Sequence, residues 1–152
     1  MVVYRISTRE HINDLNGNGA RLYGGRWNQK GTSVVYTSET RALASIEYLV
    51  HITFPLIPDD LCIASITIKE TITPQKINFS SLPPNWKNYP APIRLAEIGS
   101  NWVADNSSLL LQVPSVLVEN EYNILINPNH PDSKHVKIKD IKNFTYDKRI
   151  LK

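Results

Sequence analysis

The sequence places an arginine at an unusually flexible corner. In the stretch GGRWN, Gly24 to Asn28, Arg26 and Trp27 directly follow two glycines. Glycine has no Cβ atom, so the backbone at this corner can approach a ligand closely. The guanidinium of an arginine is a planar fork that binds phosphate or carboxylate oxygens two at a time. Arg26 is therefore a candidate for binding an anionic ligand.

Other polar side chains lie near the ends of predicted elements. Taken one at a time, each favours a structural role, such as a charge at a strand edge or a turn serine after a proline. Taken together with Arg26, they are candidates for one site: Arg5, Tyr36, Glu47, Ser115 and Asn123. Trp27 is predicted to pack as a lid on the core rather than to stack on a ligand, and Trp86 and Trp102 are predicted to be structural.

Runs rich in β-branched and aromatic residues predict the strands that must carry these side chains. Pro114 interrupts one of them just before Ser115, which predicts an edge, a bulge or a break there. Between the first two strands, residues 13–31 are nearly all polar or turn-forming and predict a long loop, of the kind that is functional or disordered. The predicted strands are Val2–Ile6, Ser33–Ser38, Leu61–Ile68, Ser108–Val118, YNILIN, and two short ones near HVKI and NFTY.

Two segments have helical spacing. In SETRALASIEYLVHI, Ser38 or Thr40 can cap a helix. Glu47 falls about 40° from Leu43 around that helix, on the margin of its apolar stripe, where a carboxylate is neither fully solvated nor fully buried. The apolar stripe of this first helix contains Leu43, Ile46, Leu49 and Val50. The second predicted helix is IRLAEIGSNWVAD.

Composition predicts a single α+β domain over residues 1–152, with more strand than helix. Hydrophobic residues make up 41% of the chain, and neither a secretory signal nor a membrane-spanning run is apparent. The single cysteine, Cys62, lies in an apolar run and is interpreted as a buried, inert thiol. These features predict a cytoplasmic protein.

Several common site motifs fit the sequence poorly. GNGARLYGG lacks the full GxGxxG pattern and its strand–turn–helix context, and Ser115 lies in no GxSxG elbow. The possible metal ligands His130, Asp132 and His135 lie in a turn without cysteines. We therefore predict neither a metal site nor ordinary hydrolase chemistry.

The C-terminal tail is basic. From Lys134 onward it has seven Lys or Arg against two Asp, a net charge of +5, whereas the rest of the chain is slightly acidic at −2. The favoured interpretation is a solvated edge strand kept soluble by lysines. The alternative is a surface for nucleic acid or an acidic protein.

Long segments of the chain resemble the RES domain family. They are YRI, GARLYGGRWNQKGTSVVYTSETRALASIEYLVH, LPPNWKNYP, IGSNWVADNSSLLLQVPSVLVENEYNILINPNHPD and FTYDKRIL, and they span Tyr4 to Leu151. The arginine, glutamate and serine for which the family is named match Arg26, Glu47 and Ser115. Arg5, Tyr36 and Glu47 match positions that the family uses for its nucleotide, and Asn123 lies in a strongly matching stretch.

The resemblance implies the toxin of a bacterial toxin–antitoxin pair, with a fold similar to the diphtheria-toxin-like ADP-ribosyltransferases. Its implied substrate is NAD, cleaved by hydrolysis or phosphorolysis or used to pass ADP-ribose to a protein. Its implied partner is an Xre-type helix-turn-helix antitoxin that covers the active site, with a homodimer possible within the complex. No membrane, metal or direct nucleic-acid partner is expected.

Cleavage of the nicotinamide–ribose bond suits these residue types. The sugar becomes positively charged, as in glycoside cleavage, while nicotinamide leaves as a neutral molecule. We expect Arg5 and Arg26 to hold the pyrophosphate, Tyr36 to face the cationic nicotinamide, and Glu47 to hold ribose hydroxyls and face the positive sugar. For Ser115 the sequence leaves open a bond to a phosphate, to the ribose or to Glu47. A nucleic-acid enzyme or binder acting through the basic tail is the alternative of a different class.

Overall fold

A computed structural model describes residues 1–53 and 55–150, so the end of the predicted domain, Leu151 and Lys152, lies outside the described residues, as does Phe54. The strands join one seven-stranded sheet in the order β4-β5-β6-β2-β1-β3-β7, antiparallel except for β4 and β5. The elements in chain order are β1 (Val2–Thr8), α1 (Asn18–Tyr23), β2 (Val35–Ser38), α2 (Arg41–Leu49), β3 (Leu61–Ile68), β4 (Gln75–Lys76), α3 (Ile93–Asp105), β5 (Leu110–Pro114), β6 (Tyr122–Ile126) and β7 (Val136–Asn143).

The sheet divides between β1 and β2. These strands pair only at Tyr4 and Ser38, whereas β1 pairs with β3 along its whole length. Even so, buried side chains of both strand groups belong to one apolar cluster, for example Val3 and Ile66 with Leu110 and Ile124. The two groups of strands therefore share one core and diverge beyond the Tyr4–Ser38 junction.

Helices α2 and α3 pack over separate apolar clusters. Ala44 of α2 packs with Ile6 and Ile63 of β1 and β3. Leu95 and Trp102 of α3 belong to a cluster with Trp27, and that cluster includes residues of β5 and β6. Because both helices pack on the same sheet, the margin of α2 that carries Glu47 and the corner at Trp27 are both placed against that sheet.

The two predicted helices and the α+β class are confirmed. Helix α3 has the predicted bounds, and α2 begins at Arg41 with Thr40 as its cap. Thr40 Oγ1 accepts a hydrogen bond of 3.0 Å from the backbone N–H of Leu43. Ser38, the other predicted cap, instead ends β2.

Replacing the helix cap is expected to cost stability. Thr40→Ala removes the only side-chain acceptor that the structure gives to the first turn of α2, so we expect unfolding to require about 1 kcal/mol less free energy. Chemical denaturation measures this loss. Thr71→Ala, at an exposed turn position, is the matched control and should change the free energy of unfolding little.

Three sequence predictions need correction. The predicted long loop at 13–31 contains the short helix α1, which follows Gly17 with φ at 70° and Asp14, whose carboxylate accepts from the N–H groups of Asn16 and Asn18. The predicted strand Ser108–Val118 ends at Pro114. Of the two short strands predicted near the C-terminus, the one near HVKI is part of a longer strand, β7, whose register with β3 shifts between Ser65 and Ile66, whereas only Asn143 of NFTY belongs to a strand.

The basic tail forms the edge of the sheet, as its favoured interpretation predicted. Lys137, Lys139 and Lys142 are exposed on β7, which pairs on one side only, with β3. Charged side chains on an edge strand hinder pairing with another chain. Cys62 is buried as predicted. Within residues 1–53 and 55–150, no helix combines the length and apolar character needed to cross a membrane.

Candidate active site

Three of the predicted site residues meet in one hydrogen-bonded cluster. Glu47 Oε1 accepts from Asn123 Nδ2 at 2.7 Å and from Ser115 Oγ at 2.9 Å. Both bonds end on Oε1, and among the described residues no donor is bound to Oε2. The carboxylate is thus fixed by one of its two oxygens.

The sheet register explains how Asn123 reaches Glu47. Asn123 on β6 lies directly opposite Ser38 on β2, and Ser38 Oγ donates to Asn123 Oδ1 at 2.6 Å. Because the amide oxygen is engaged by Ser38, the amide nitrogen faces Glu47. From the sequence, Ser38 is predicted only as the end of a strand or the cap of a helix, since nothing in the sequence alone shows which strands are neighbours.

Ser115 is placed by the end of β5. It is almost completely buried, and its Oγ accepts from the backbone N–H groups of Leu117 and Val118 at 3.0 and 3.1 Å. A hydroxyl has one proton to donate. In Ser115 that proton goes to Glu47, which is one of the three partners left open by the sequence.

Arg26 binds a loop rather than pointing freely into solvent. Its Nη1 donates to the carbonyl of Trp86 at 2.8 Å, and Nη1 and Nη2 both donate to the carbonyl of Asn88 at 3.2 Å. Partial burial lowers the pKa of Arg26, and the charge of Glu47 is the largest influence in the opposite direction. The glycine corner thus holds a cation within electrostatic range of the Glu47 cluster.

The hydroxyl of Tyr36 is hydrogen-bonded to the glycine corner. It accepts from the backbone N–H of Trp27 at 3.1 Å and donates to Asn28 Oδ1 at 2.7 Å. A Cβ atom at Gly25 would lie 2.8 Å from that hydroxyl, so the close approach requires a glycine. Burial raises the pKa of Tyr36 far above its usual range, so the phenol keeps the proton that it donates to Asn28.

Removing that hydroxyl is expected to loosen the corner. Tyr36→Phe leaves the amide N–H of Trp27 without an acceptor and the buried Oδ1 of Asn28 without a donor, which should cost about 1–3 kcal/mol of unfolding free energy. Chemical denaturation measures the cost. Tyr23→Phe, at a side chain that is 79% exposed, is the matched control. Equal stability of the two variants would contradict a structural role for the hydroxyl of Tyr36.

Arg5 lies at a different point, beside Tyr36. Its Nη1 donates to the carbonyl of Asp14, and burial lowers its pKa against the opposing charge of Asp14. Arg5, Tyr36, Gly17 and Ala20 are among the residues that line a cavity of about 100 Å³. Pockets for whole ligands are usually about 300–1,000 Å³, so this cavity holds at most one part of a dinucleotide.

The predicted site is therefore assembled in linked parts. Glu47, Ser115 and Asn123 bond directly, Arg26 and Tyr36 share the glycine corner, and Tyr36 and Arg5 share the cavity. Trp27 is 3% exposed and packs with Trp102, which confirms the prediction that both are structural. Among the described residues, no three His, Cys, Asp or Glu side chains are grouped to hold a metal ion.

Sequence reasoning missed the supporting residues Ser38 and Asn28. Asn28 appeared only as a turn former, yet it is buried and its Nδ2 donates to the carbonyls of Ala20, Gln29 and Thr32. Its position directly after GGRW was the only available signal.

Comparisons with known proteins point to one family. The family model described as the RES domain matches residues 2–147. A "Prs ADP-ribosylating toxin" of Sphingobium sp. is 36% identical over 91% of this chain and 88% of its own. A "Toxin Res" of Yersinia enterocolitica is 38% identical over 86% of each chain, and one of Photorhabdus laumondii is 35% identical over 100% of this chain and 98% of its own.

The fold has a solved counterpart. A chain in the crystal structure of the M. tuberculosis MbcT–MbcA toxin–antitoxin complex superposes with a TM-score of 0.76 at 14% identity, covering 95% of this chain and 84% of that chain. The mixed sheet and its helices are therefore an architecture already seen in such a complex.

Proposed function

We propose, from the premise that this chain belongs to the RES domain family, that it is a toxin which cleaves the nicotinamide–ribose bond of NAD. The observation that carries the proposal is the fixed carboxylate of Glu47, held through Oε1 by Ser115 and Asn123 and within electrostatic range of Arg26. A preorganised negative charge in the same site as a guanidinium that could bind phosphate oxygens suits a substrate that joins a pyrophosphate to a ribose that becomes positive.

In this proposal Glu47 acts by charge and by position. As the bond between nicotinamide and ribose C1′ breaks, its electron pair goes to the nicotinamide nitrogen, and positive charge develops on the sugar. A carboxylate already fixed beside that sugar stabilises the charge without having to reorganise. Oε2 is the oxygen that would accept a ribose hydroxyl.

The second reactant decides the product. Attack by water on C1′ gives ADP-ribose and a proton, whereas attack by phosphate gives the 1-phosphate of ADP-ribose. Both reactions share the first step, so the same Glu47 cluster serves either.

Incubation of the purified protein with NAD, with and without phosphate, tests the proposal. We expect chromatography to show nicotinamide and an ADP-ribose product from wild-type protein and none from Glu47→Ala. Dependence on phosphate would distinguish phosphorolysis from hydrolysis. A folded protein, free of bound partner, that releases no nicotinamide under either condition would contradict the proposal.

A second candidate is transfer of ADP-ribose to a protein. It is favoured by the printed name of one relative, which describes an ADP-ribosylating toxin. Labelled NAD incubated with a bacterial lysate distinguishes the two: transfer places the label on protein, whereas free cleavage leaves it on small molecules. Cleavage of NAD without any added protein favours the first candidate.

We also propose an antitoxin as the partner, of the Xre-type helix-turn-helix class, which covers the mouth of the site. The solved counterpart comes from a toxin–antitoxin complex, which supports a partner of this kind. Co-expression followed by size-exclusion chromatography would show whether the two chains form a complex and whether the toxin is dimeric within it.

A further inference from the structure

The loop bound by Arg26 carries an exposed tyrosine beside the site. Tyr89 directly follows Asn88, whose carbonyl accepts from both terminal nitrogens of Arg26. The side chain of Tyr89 is 87% exposed, the highest exposure among the large hydrophobic side chains of the described residues. A ring that the fold leaves almost fully in solvent lies next to the predicted pyrophosphate-binding residue.

The loop that carries this ring is well anchored. The N–H of Trp86 donates to the carbonyl of Pro83 at 3.0 Å, and the N–H of Asn88 donates to the carbonyl of Asn85 at 2.9 Å. Trp86 packs against the apolar cluster that contains Trp102, and its ring meets Phe79 edge-on at 6.1 Å. Arg26 completes the attachment. The backbone beside Tyr89 is therefore held in place before any ligand arrives.

We propose that Tyr89 is a stacking platform for the adenine of the dinucleotide, an assignment that rests on the proposed function. NAD joins nicotinamide–ribose to adenosine through its pyrophosphate. With the reacting ribose at Glu47 and the pyrophosphate at Arg26, the adenosine continues beyond Arg26, toward the loop that Arg26 binds. A planar ring carried at that point by an anchored backbone offers a face on which a base stacks.

The chemistry favours the adenine end over the nicotinamide end. The reacting ribose must lie against the half-buried Glu47, and the ring predicted to face the nicotinamide, Tyr36, is itself largely buried. Tyr89 lies at the exposed rim, where an adenine that takes no part in the reaction would bind. The ring therefore contributes affinity and selectivity for the dinucleotide and touches no reacting atom.

Steady-state kinetics of the full-length protein test this assignment. Because one stacked base typically contributes substantially to affinity, we expect Tyr89→Ala to raise the KM for NAD about tenfold, with kcat nearly unchanged. Tyr89→Trp should keep the wild-type KM. Leu56→Ala, which truncates another highly exposed apolar side chain, is the matched control and should behave as wild type.

Product inhibition locates the contact along the substrate. Tyr89→Ala should weaken inhibition by ADP-ribose about tenfold and leave inhibition by nicotinamide unchanged. A KM for NAD equal to that of wild type would overturn the proposal, and so would weaker inhibition by nicotinamide alone.

Calorimetric titration with ADP-ribose separates failure of this inference from failure of the proposed function. If wild-type protein cleaves no NAD, the proposed function fails. Binding of ADP-ribose can still be measured in that case, because it requires no turnover. Weaker binding to Tyr89→Ala than to wild type would then support the stacking role, whereas equal binding would overturn it.

Discussion

Glu47→Gln is expected to lower the rate of NAD cleavage at least about a hundredfold, because it removes a preorganised charge that faces the developing positive charge on the ribose. The amide has nearly the same size as the carboxylate. Its oxygen can still accept from Ser115 and Asn123, so the hydrogen bonds now made by Oε1 can persist. The loss should therefore appear mainly in kcat, with a small change in KM for NAD.

The matched control for this change is Glu97→Gln. Glu97 lies on α3 and is paired with Arg94 at 3.3 Å on an exposed surface, so the same chemical substitution there should leave turnover unaltered. Glu47→Gln must first be shown to unfold at a temperature close to that of wild type. If a folded Glu47→Gln retained most of the wild-type kcat, charge stabilisation by this carboxylate would be ruled out.

A shorter acid tests position separately from charge. Glu47→Asp keeps the carboxylate but withdraws it by one methylene from the donors on Ser115 and Asn123, which hold Oε1 at 2.9 and 2.7 Å. We expect activity between that of wild type and that of Glu47→Gln. Activity equal to wild type would mean that the bonds from Ser115 and Asn123 have no part in orienting the acid.

The sequence was most informative where periodicity sets the structure. The apolar spacing of IRLAEIGSNWVAD predicts the bounds of α3, and Glu47 is half-buried as its angle to Leu43 predicts. The predicted stripe of α2 is only partly right, because Leu43 is buried whereas Ile46 and Val50 are exposed. The sequence predicted less where the structure depends on pairing between strands that are far apart in the chain. The register shift in β7 and the two-residue strand β4 depend on neighbours far away in the chain.

The same distinction applies to the site. Glu47, Ser115 and Asn123 could be selected as polar residues at element ends, but their meeting depends on the pairing of β2 with β6. Ser38, which orients Asn123, has no signal of its own because its partner lies 85 residues away. For Arg26 the sequence predicted exposure toward a ligand, whereas the structure also gives it the carbonyls of Trp86 and Asn88.

In the proposed function, Arg26 donates hydrogen bonds to two kinds of acceptor, the carbonyls of its own loop contacts and the pyrophosphate of the substrate. A guanidinium carries five N–H donors, and the carbonyls of Trp86 and Asn88 engage only part of them. The remaining donors can meet a pyrophosphate while the loop stays attached. Arg26 can therefore bind the substrate and the loop that carries Tyr89 at the same time, provided that the glycine corner holds Arg26 in place.

The corner is held by helix α3 at a position that tolerates no side chain, so Gly99→Ala is expected to destabilise the protein and to lower its activity together. A Cβ atom at Gly99 would lie 1.7 Å from the carbonyl oxygen of Trp27 and 2.7 Å from its carbonyl carbon. Both atoms belong to the backbone, so no rotamer change relieves the clash. Overpacking of a core typically costs about 1–3 kcal/mol, and a backbone clash of this depth should cost at least the upper value.

Chemical denaturation and NAD turnover measure the two effects of Gly99→Ala. Gly19→Ala is the matched control, since a Cβ atom there meets nothing within 4 Å, and it should not lower stability. Should Gly99→Ala fail to fold, Ser100→Ala is the milder change, because Ser100 Oγ accepts from the N–H of Gln29 at 2.9 Å and fixes the same corner. A displacement of about 1 Å at a binding group can reduce the rate a hundredfold. Loss of turnover in a folded Ser100→Ala would therefore mean that α3, through the backbone of residues 27–29, sets the position of Arg26. Full turnover in either variant would show that the corner keeps its geometry without α3.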